Sequence, residues 1–151
     1  VFRLISKSDI PIIIKIRNKP ETRNFLEIQE KFTVEQSYEW FDKTNPWWFV
    51  IEEENSIIGY IRTSNRKENS IWVGMDIDTP YRGKGYALKY YKEFFNYLKE
   101  TTSIKEIFLE VFVYNIIAKS LYDKLGFVEL SRRELPDGRF SIFMSKQLYD
   151  I

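Results

Sequence analysis

Residues 76–87 read Asp76-Ile77-Asp78-Thr79-Pro80-Tyr81-Arg82-Gly83-Lys84-Gly85-Tyr86-Ala87. An alternating run, Ile71–Asp78, leads in and predicts a strand. Behind it, Ala87, Leu88, Tyr91, Phe94, Phe95 and Leu98 recur at helical spacing and predict an amphipathic helix over about Gly85–Lys99. The stretch is therefore a strand, a tight turn through two glycines, and a helix start. The first turn of a helix carries unpaired N–H groups and a partial positive charge, where an anion docks readily. Gly83 and Gly85 let the backbone take unusual angles and approach a ligand closely, and Arg82 and Lys84 add positive charge. The turn is no Walker A loop, because Tyr86 follows Gly85 where Lys-Ser/Thr is needed, and it lacks the third glycine of a dinucleotide fingerprint. The plainer alternative is a strand–helix connection with solvated cations.

Outward from this turn the elements follow one another. Phe2–Ile5 reads as a short strand, then a helix capped by Ser8 and Asp9 with Pro11 in its first turn runs to about Arg17, where Asn18-Lys19-Pro20 breaks it. Thr33-Val34-Glu35-Gln36 is a capping box starting a helix with Val34, Tyr38 and Phe41 on one face, ended by Asn45-Pro46. Trp47–Glu52 and Ile57–Arg62 predict an antiparallel hairpin, with Ile71–Asp78 as its third strand. Ile107–Val113 predicts a strand. Ile117, Ala118, Leu121, Tyr122 and Leu125 mark a helix stopped by Gly126, and Phe127–Arg133 with Phe140–Leu148 pair around Pro136-Asp137-Gly138. The order β-α-α-β-β-β-α-β-α-β-β predicts an α/β fold with a mixed, largely antiparallel sheet.

Length and composition bound the chemistry. A chain of 151 residues, 44% hydrophobic and 17% aromatic, predicts one packed domain over 1–151 that buries roughly 70% of its unfolded surface. There is no cysteine and no histidine. That removes disulfides, a cysteine nucleophile, the Ser-His-Asp triad and the common zinc sites, so no metal is expected. Proton transfer falls to Asp, Glu, Tyr, Lys, a terminus or water. A net charge of +1, from 23 basic and 22 acidic side chains, carries no nucleic-acid signature. No apolar run approaches the length of a membrane span, and no signal peptide is visible, so a cytoplasmic location is expected.

A second motif lies downstream: Asn115-Ile116-Ile117-Ala118-Lys119-Ser120-Leu121-Tyr122-Asp123-Lys124-Leu125-Gly126-Phe127. Together with Arg82, Gly85 and Ala87 of the turn, it resembles the GCN5-related N-acetyltransferase (GNAT) superfamily. The likeness covers about residues 47–148, and the first 45 by element order. It implies a GNAT-like fold and acetyl-CoA as co-substrate. In such proteins the backbone of Met75, Asp76 and Ile77 hydrogen-bonds the pantetheine arm as an added strand would. The amides of Arg82, Gly83, Lys84, Gly85, Tyr86 and Ala87 hold the pyrophosphate. Asn115 meets the pantetheine arm, and Tyr122 sits near the thioester sulfur. The alternatives stay open: Asn115 as a helix cap alone, Tyr122 as core packing.

Acetyl transfer needs a neutral amine. Deprotonating a lysine-like amine at pH 7 costs about 4–5 kcal/mol, and an α-amine about 1.4 kcal/mol. Without histidine the candidate bases are carboxylates. Glu110 interrupts the apolar strand Phe108-Leu109-Glu110-Val111 and shares a face with Phe108 and Phe112, which predicts a desolvated carboxylate with a raised pKa. In ribosomal-protein N-acetyltransferases of the superfamily the Glu of a Leu-Glu-Val strand is such a base; the alternative is a half-exposed sheet residue. Asp76 competes as base or as ligand for a substrate ammonium. Tyr122 is the candidate general acid. The expected reaction is direct transfer to a primary amine in a ternary complex. Arg17-Asn18 after the first helix and Trp40-Phe41 at the end of the second resemble GNAT enzymes acting on nucleotide-linked amino sugars, and also the ribosomal-protein and polyamine branches. Arg17 and Arg23 are candidates to pair with a substrate phosphate and the aromatic rings, Trp47-Trp48 among them, to stack on a sugar or base, the alternative being ordinary core and surface residues. A protein α-amine acceptor and a silent acyl-CoA-binding module are the alternatives.

Overall fold

The strands assemble in the order β1-β2-β3-β4-β5-β7-β6 in a computed structural model that describes residues 1–149. They are β1 Phe2–Leu4, β2 Phe49–Glu53, β3 Ser56–Ser64, β4 Ser70–Ile77, β5 Glu106–Phe112, β6 Val128–Glu134 and β7 Phe140–Gln147. The helices are α1 Ile10–Arg17, α2 Pro20–Arg23, α3 Val34–Thr44, α4 Tyr86–Thr101 and α5 Ile116–Lys124, with single 3₁₀ turns at Lys7–Asp9 and Thr79–Tyr81. β4 pairs with β5 in parallel, and β1–β2, β2–β3, β5–β7 and β6–β7 are antiparallel. The mixed, largely antiparallel α/β fold is thus as expected. The addition is α2, a single turn that begins on Pro20.

The chain divides into two compact units. Unit 1 comprises Val1–Thr63 and Gly74–Tyr90; unit 2 comprises Ser64–Val73 and the chain from Tyr91. In unit 1, Ile5, Ile10, Ile13, Ile14, Ile16, Val50 and Tyr60 form a buried cluster, with Val34, Tyr38, Trp40, Phe41 and Trp48 packed against it. The capping box is present: Gln36 N–H donates to Thr33 Oγ1 (3.1 Å), and Thr33 N–H to Gln36 Oε1 (2.9 Å). Asn45 closes α3 in the left-handed region at φ 43°. Asp9 departs from expectation. It stands at the N-cap position of α1 but makes no cap bond, because its carboxylate accepts from Arg3 (Nη1 and Nη2, both 2.8 Å) and from Ser6 N–H (2.8 Å). Burial works to raise its pKa, but these bonds overcome that and hold it below the ordinary value.

In unit 2 the inward face of β5, Ile107, Leu109 and Val111, is buried, as are Phe94, Phe95 and Leu98 of α4 and Ile142 and Met144 of β7. The opposite face carries an aromatic stack, with Trp72, Phe108 and Phe143 at centroid separations of 5.2–5.7 Å. Among the described residues no helix is long and apolar enough to cross a membrane.

Candidate active site

The glycine turn lies in unit 1. Asp78 opens it: its Oδ1 accepts from Thr79 N–H (2.9 Å) and from Lys19 Nζ (2.6 Å). Gly83 and Gly85 both sit in the left-handed region, at φ 75° and 83°, and a Cβ built on either meets no atom within 4 Å. Their conformation therefore demands glycine while the space before them stays open. Gly85 O accepts from Lys89 N–H (3.1 Å), so α4 starts here. Among the described residues, the N–H groups of Gly83, Lys84, Gly85, Tyr86 and Ala87 donate to no carbonyl of a turn, loop or cap. These five N–H groups stand at the start of α4, a position whose free donors suit an anion.

Arg82 behaves differently from the expectation that it flanks a polyphosphate. Its N–H donates to Thr79 O (3.2 Å), and its guanidinium turns inward, to Ile77 O (2.8 Å), Glu21 O (3.1 Å) and Thr22 Oγ1 (3.2 Å). Thr79 Oγ1 also donates to Glu21 (3.0 Å). The one-turn α2 is thus a brace for the glycine turn, linked across some sixty residues of sequence that no local pattern connects. Lys84 keeps an exposed ammonium, 6.0 Å from the Tyr81 ring centroid.

Met75, Asp76 and Ile77 lie at the C-terminal end of β4. The β4–β5 ladder runs Ser70↔Glu106, Ile71↔Ile107 and Trp72↔Phe108, while β4 itself continues to Ile77. The Asp76 carboxylate is 11% exposed and bound by Arg62 Nε (3.0 Å). Its charge is therefore already met within the protein, which weakens it as a base or ammonium ligand. Arg17, Asn18 and Arg23 are occupied too. Arg17 donates to Glu30 O (2.7 Å) and Ile28 O, Arg23 to Asn18 O (3.1 Å) and Gln29 O (3.2 Å), and Asn18 Nδ2 to Phe32 O (2.7 Å). They clasp the irregular segment 28–32, and the expected pairing of Arg17 and Arg23 with a phosphate gives way to this. Trp48 and Trp40 pack edge to face at 4.7 Å.

Unit 2 holds the remaining candidates. Asn115 caps α5, its Oδ1 accepting from Ala118 N–H (3.4 Å). The Gly-Phe stop has a mechanical meaning. Gly126, at φ 89°, takes the left-handed position, Phe127 N–H donates to Tyr122 O (3.0 Å) and Gly126 N–H to Asp123 O (3.1 Å). This is a Schellman closure, with Phe127 against the Tyr122 ring at 5.7 Å. The motif thereby fixes Tyr122, which is 8% exposed. Its hydroxyl shares a buried hydrogen bond with Tyr91 (3.1 Å), a partner the sequence reading missed.

Glu110 differs from expectation. It lies on the exposed side of β5, its carboxylate 30% exposed and held by Arg133 Nε (2.9 Å) and Ser141 Oγ (2.6 Å). Phe143 stands opposite it in the β5–β7 ladder, yet Glu110 stays exposed, so the burial expected from its aromatic neighbours is absent.

The description of the acetyltransferase (GNAT) domain matches residues 1–128. The chain belongs to this family. One curated relative of the GNAT domain, a [ribosomal protein bS18]-alanine N-acetyltransferase of Haemophilus ducreyi, is 29% identical over 90 residues, covering 57% of this chain and 61% of that protein. The match thus spans less than two thirds of that relative. Among solved structures, the spermidine N-acetyltransferase of Vibrio cholerae, in complex with CoA and spermine, superposes with a TM-score of 0.88 at 20% identity, over 98% of this chain and 95% of that one. The protein yncA of Salmonella typhimurium, with its cofactor acetyl-CoA, gives 0.81 at 15% identity, over 100% and 95%. These likenesses establish the GNAT fold.

Proposed function

We propose that this GNAT chain is an acetyl-CoA-dependent N-acetyltransferase acting on a primary amine, a small one such as a nucleotide-linked amino sugar. The observation that carries the reading is the five-amide cradle at Gly83–Ala87, whose two left-handed glycines leave open space before them. It suits a diphosphate: free N–H donors, a helix start and the exposed Lys84 lie within five residues of one another. The edge of β4 from Met75 to Ile77 offers main-chain groups to the pantetheine arm in the manner of strand addition. Asn115 serves that arm as well as its helix. Bound acetyl-CoA supplies an activated acetyl thioester.

The chain's own residues then have these tasks. Glu110 accepts a proton from the incoming ammonium at its carboxylate, directly or through water, with Arg133 and Ser141 fixing its orientation. The Tyr122 hydroxyl, held by Tyr91, gives a proton to the departing sulfur. A thioester acyl-enzyme cannot form, since the chain has no cysteine, and direct transfer to the amine in a ternary complex is the simplest scheme. A second reading, acetylation of a protein α-amine, is favoured by the likeness to the bS18-alanine enzyme and by the Leu109-Glu110-Val111 strand. A mass-spectrometric screen with labelled acetyl-CoA tests both. Label on amino sugars or other small amines supports the first. Label only on peptide N-termini supports the second. Thermal stabilisation by acetyl-CoA with no acceptor labelled leaves an acyl-CoA-binding module.

A further inference from the structure

The glycine turn is poorly steadied by its own residues. Gly83 and Gly85 carry no side chain, and nothing packs where their Cβ atoms would stand. Fixing glycine costs more chain entropy than fixing any other residue. Free amides bind a ligand well only when they are held in place before it arrives. The support comes from far upstream, from residues 19–22. Lys19 Nζ binds Asp78 (2.6 Å), and Glu21 accepts from Thr79 Oγ1 (3.0 Å). Arg82 Nη1 donates to Glu21 O (3.1 Å), and Nη2 to Thr22 Oγ1 (3.2 Å). This support is itself anchored. Thr22 is 2% exposed, and α2 follows α1 with Asn18 and Lys19 between them. α1 in turn buries Ile13 and Ile16 in the core of unit 1. Arg82 makes one bond more: its Nε donates to the carbonyl of Ile77, the last residue of β4 (2.8 Å). One guanidinium thus ties the end of β4, the start of the turn and α2 together. Only a planar fork of several N–H groups reaches three acceptors at once.

We propose that Arg82 is a positioning residue for coenzyme A. It acts through the main chain it holds, fixing the end of β4 against the amides that open α4, and α2 is the abutment it works against. The edge of β4 and those amides are the two main-chain parts of the coenzyme A site, so the residue that sets one against the other sets the fit of the whole ligand. This rests on the acetyl-CoA reading above and deepens it. Geometry and charge come apart at this position. Lysine at 82 would keep the positive charge but, as a point charge on a flexible stem, would not reproduce the three-way tie. Thr22 offers the converse change, because its hydroxyl takes part in the tie and carries no charge.

The test is calorimetric titration of the full chain with CoA, well below the unfolding midpoint, for the parent, Arg82→Lys, Thr22→Val and the double variant. Arg82→Lys is expected to lose about tenfold or more in affinity although its charge is kept. Thr22→Val, which alters no residue of the turn and no charge, is expected to lose about threefold or more. The double variant is expected to bind within about twofold of Arg82→Lys, because the two changes remove one shared contact and are not additive. Scanning calorimetry of the same samples separates positioning from folding: a merely structural tie lowers the midpoint and leaves the affinity of the folded chain alone. Parent-like affinity in Arg82→Lys would assign the residue to a charge contact and overturn the proposal. A loss below about threefold in Thr22→Val, or losses that multiply in the double variant, would overturn it too. Should Arg82→Lys fail to fold, Thr22→Val decides by itself. A parent chain that binds no CoA would instead sink the acetyl-CoA reading beneath the proposal.

Discussion

Replacing Gly83 or Gly85 by alanine separates a cradle from a mere turn, because the structure supplies its own control. Gly83, Gly85 and Gly138 have φ of 75°, 83° and 88°, and at none of the three would a Cβ meet an atom within 4 Å. The strain of alanine is therefore alike at all three. Holding an L-residue in the left-handed region costs roughly 1–2 kcal/mol, offset by about 0.4–1 kcal/mol from the stiffer unfolded chain. The net loss is about 0–1.6 kcal/mol, or a fall of up to about 6 °C in unfolding midpoint for a chain of this size. Gly138 lies in the β6–β7 turn, where Gly138 N–H donates to Leu135 O (2.9 Å), far in sequence from the cradle. Scanning calorimetry is expected to show matching midpoint losses for Gly83→Ala, Gly85→Ala and Gly138→Ala. Titration with CoA is expected to separate them. The two cradle variants lose about tenfold or more in affinity, near 1.4 kcal/mol, because the new methyl stands in the open space before the amides. Gly138→Ala binds as the parent does. Equal CoA affinity in all three would refute the reasoning and reduce residues 82–87 to a connection.

Other outcomes follow from the same geometry. Glu110→Gln should lower kcat about a hundredfold, with partial recovery at high pH where free amine accumulates, and change stability by less than about 1 kcal/mol because its ion pair is partly exposed. Tyr122→Phe should slow turnover at least tenfold while CoA affinity stays within about twofold; its loss of the Tyr91 bond should cost about 0.5–1.5 kcal/mol in denaturant melts. Asp9 has a folded pKa lowered from 3.8, so its contribution is full above that value and lost as pH falls through the folded pKa. Urea titrations should therefore show Asp9→Asn less stable than the parent at pH 7, with the gap closing below about pH 3.8.

The elements whose signals are local were legible in the sequence. The Thr33–Gln36 box, the Asn45 stop, the Gly126-Phe127 closure and the helical spacing from Ala87 to Leu98 each act within a few residues, and the structure forms them as read. The motifs also located the left-handed glycine turn at the start of α4. What escaped was side-chain pairing over long separations. Arg82 reads as a phosphate-binding cation until α2 is in place to receive it. Glu110 reads as desolvated because strand alternation places Phe108 and Phe112 beside it, yet nothing local shows that β6 and β7 bring Arg133 and Ser141 to its carboxylate. Asp9 looks like a cap until Arg3 claims it.

Isothermal titration of the intact chain with CoA tests the diphosphate cradle most directly. The expected result is saturable binding at one site per chain. An absence of heat up to millimolar CoA, in a sample that still unfolds cooperatively, would contradict the account.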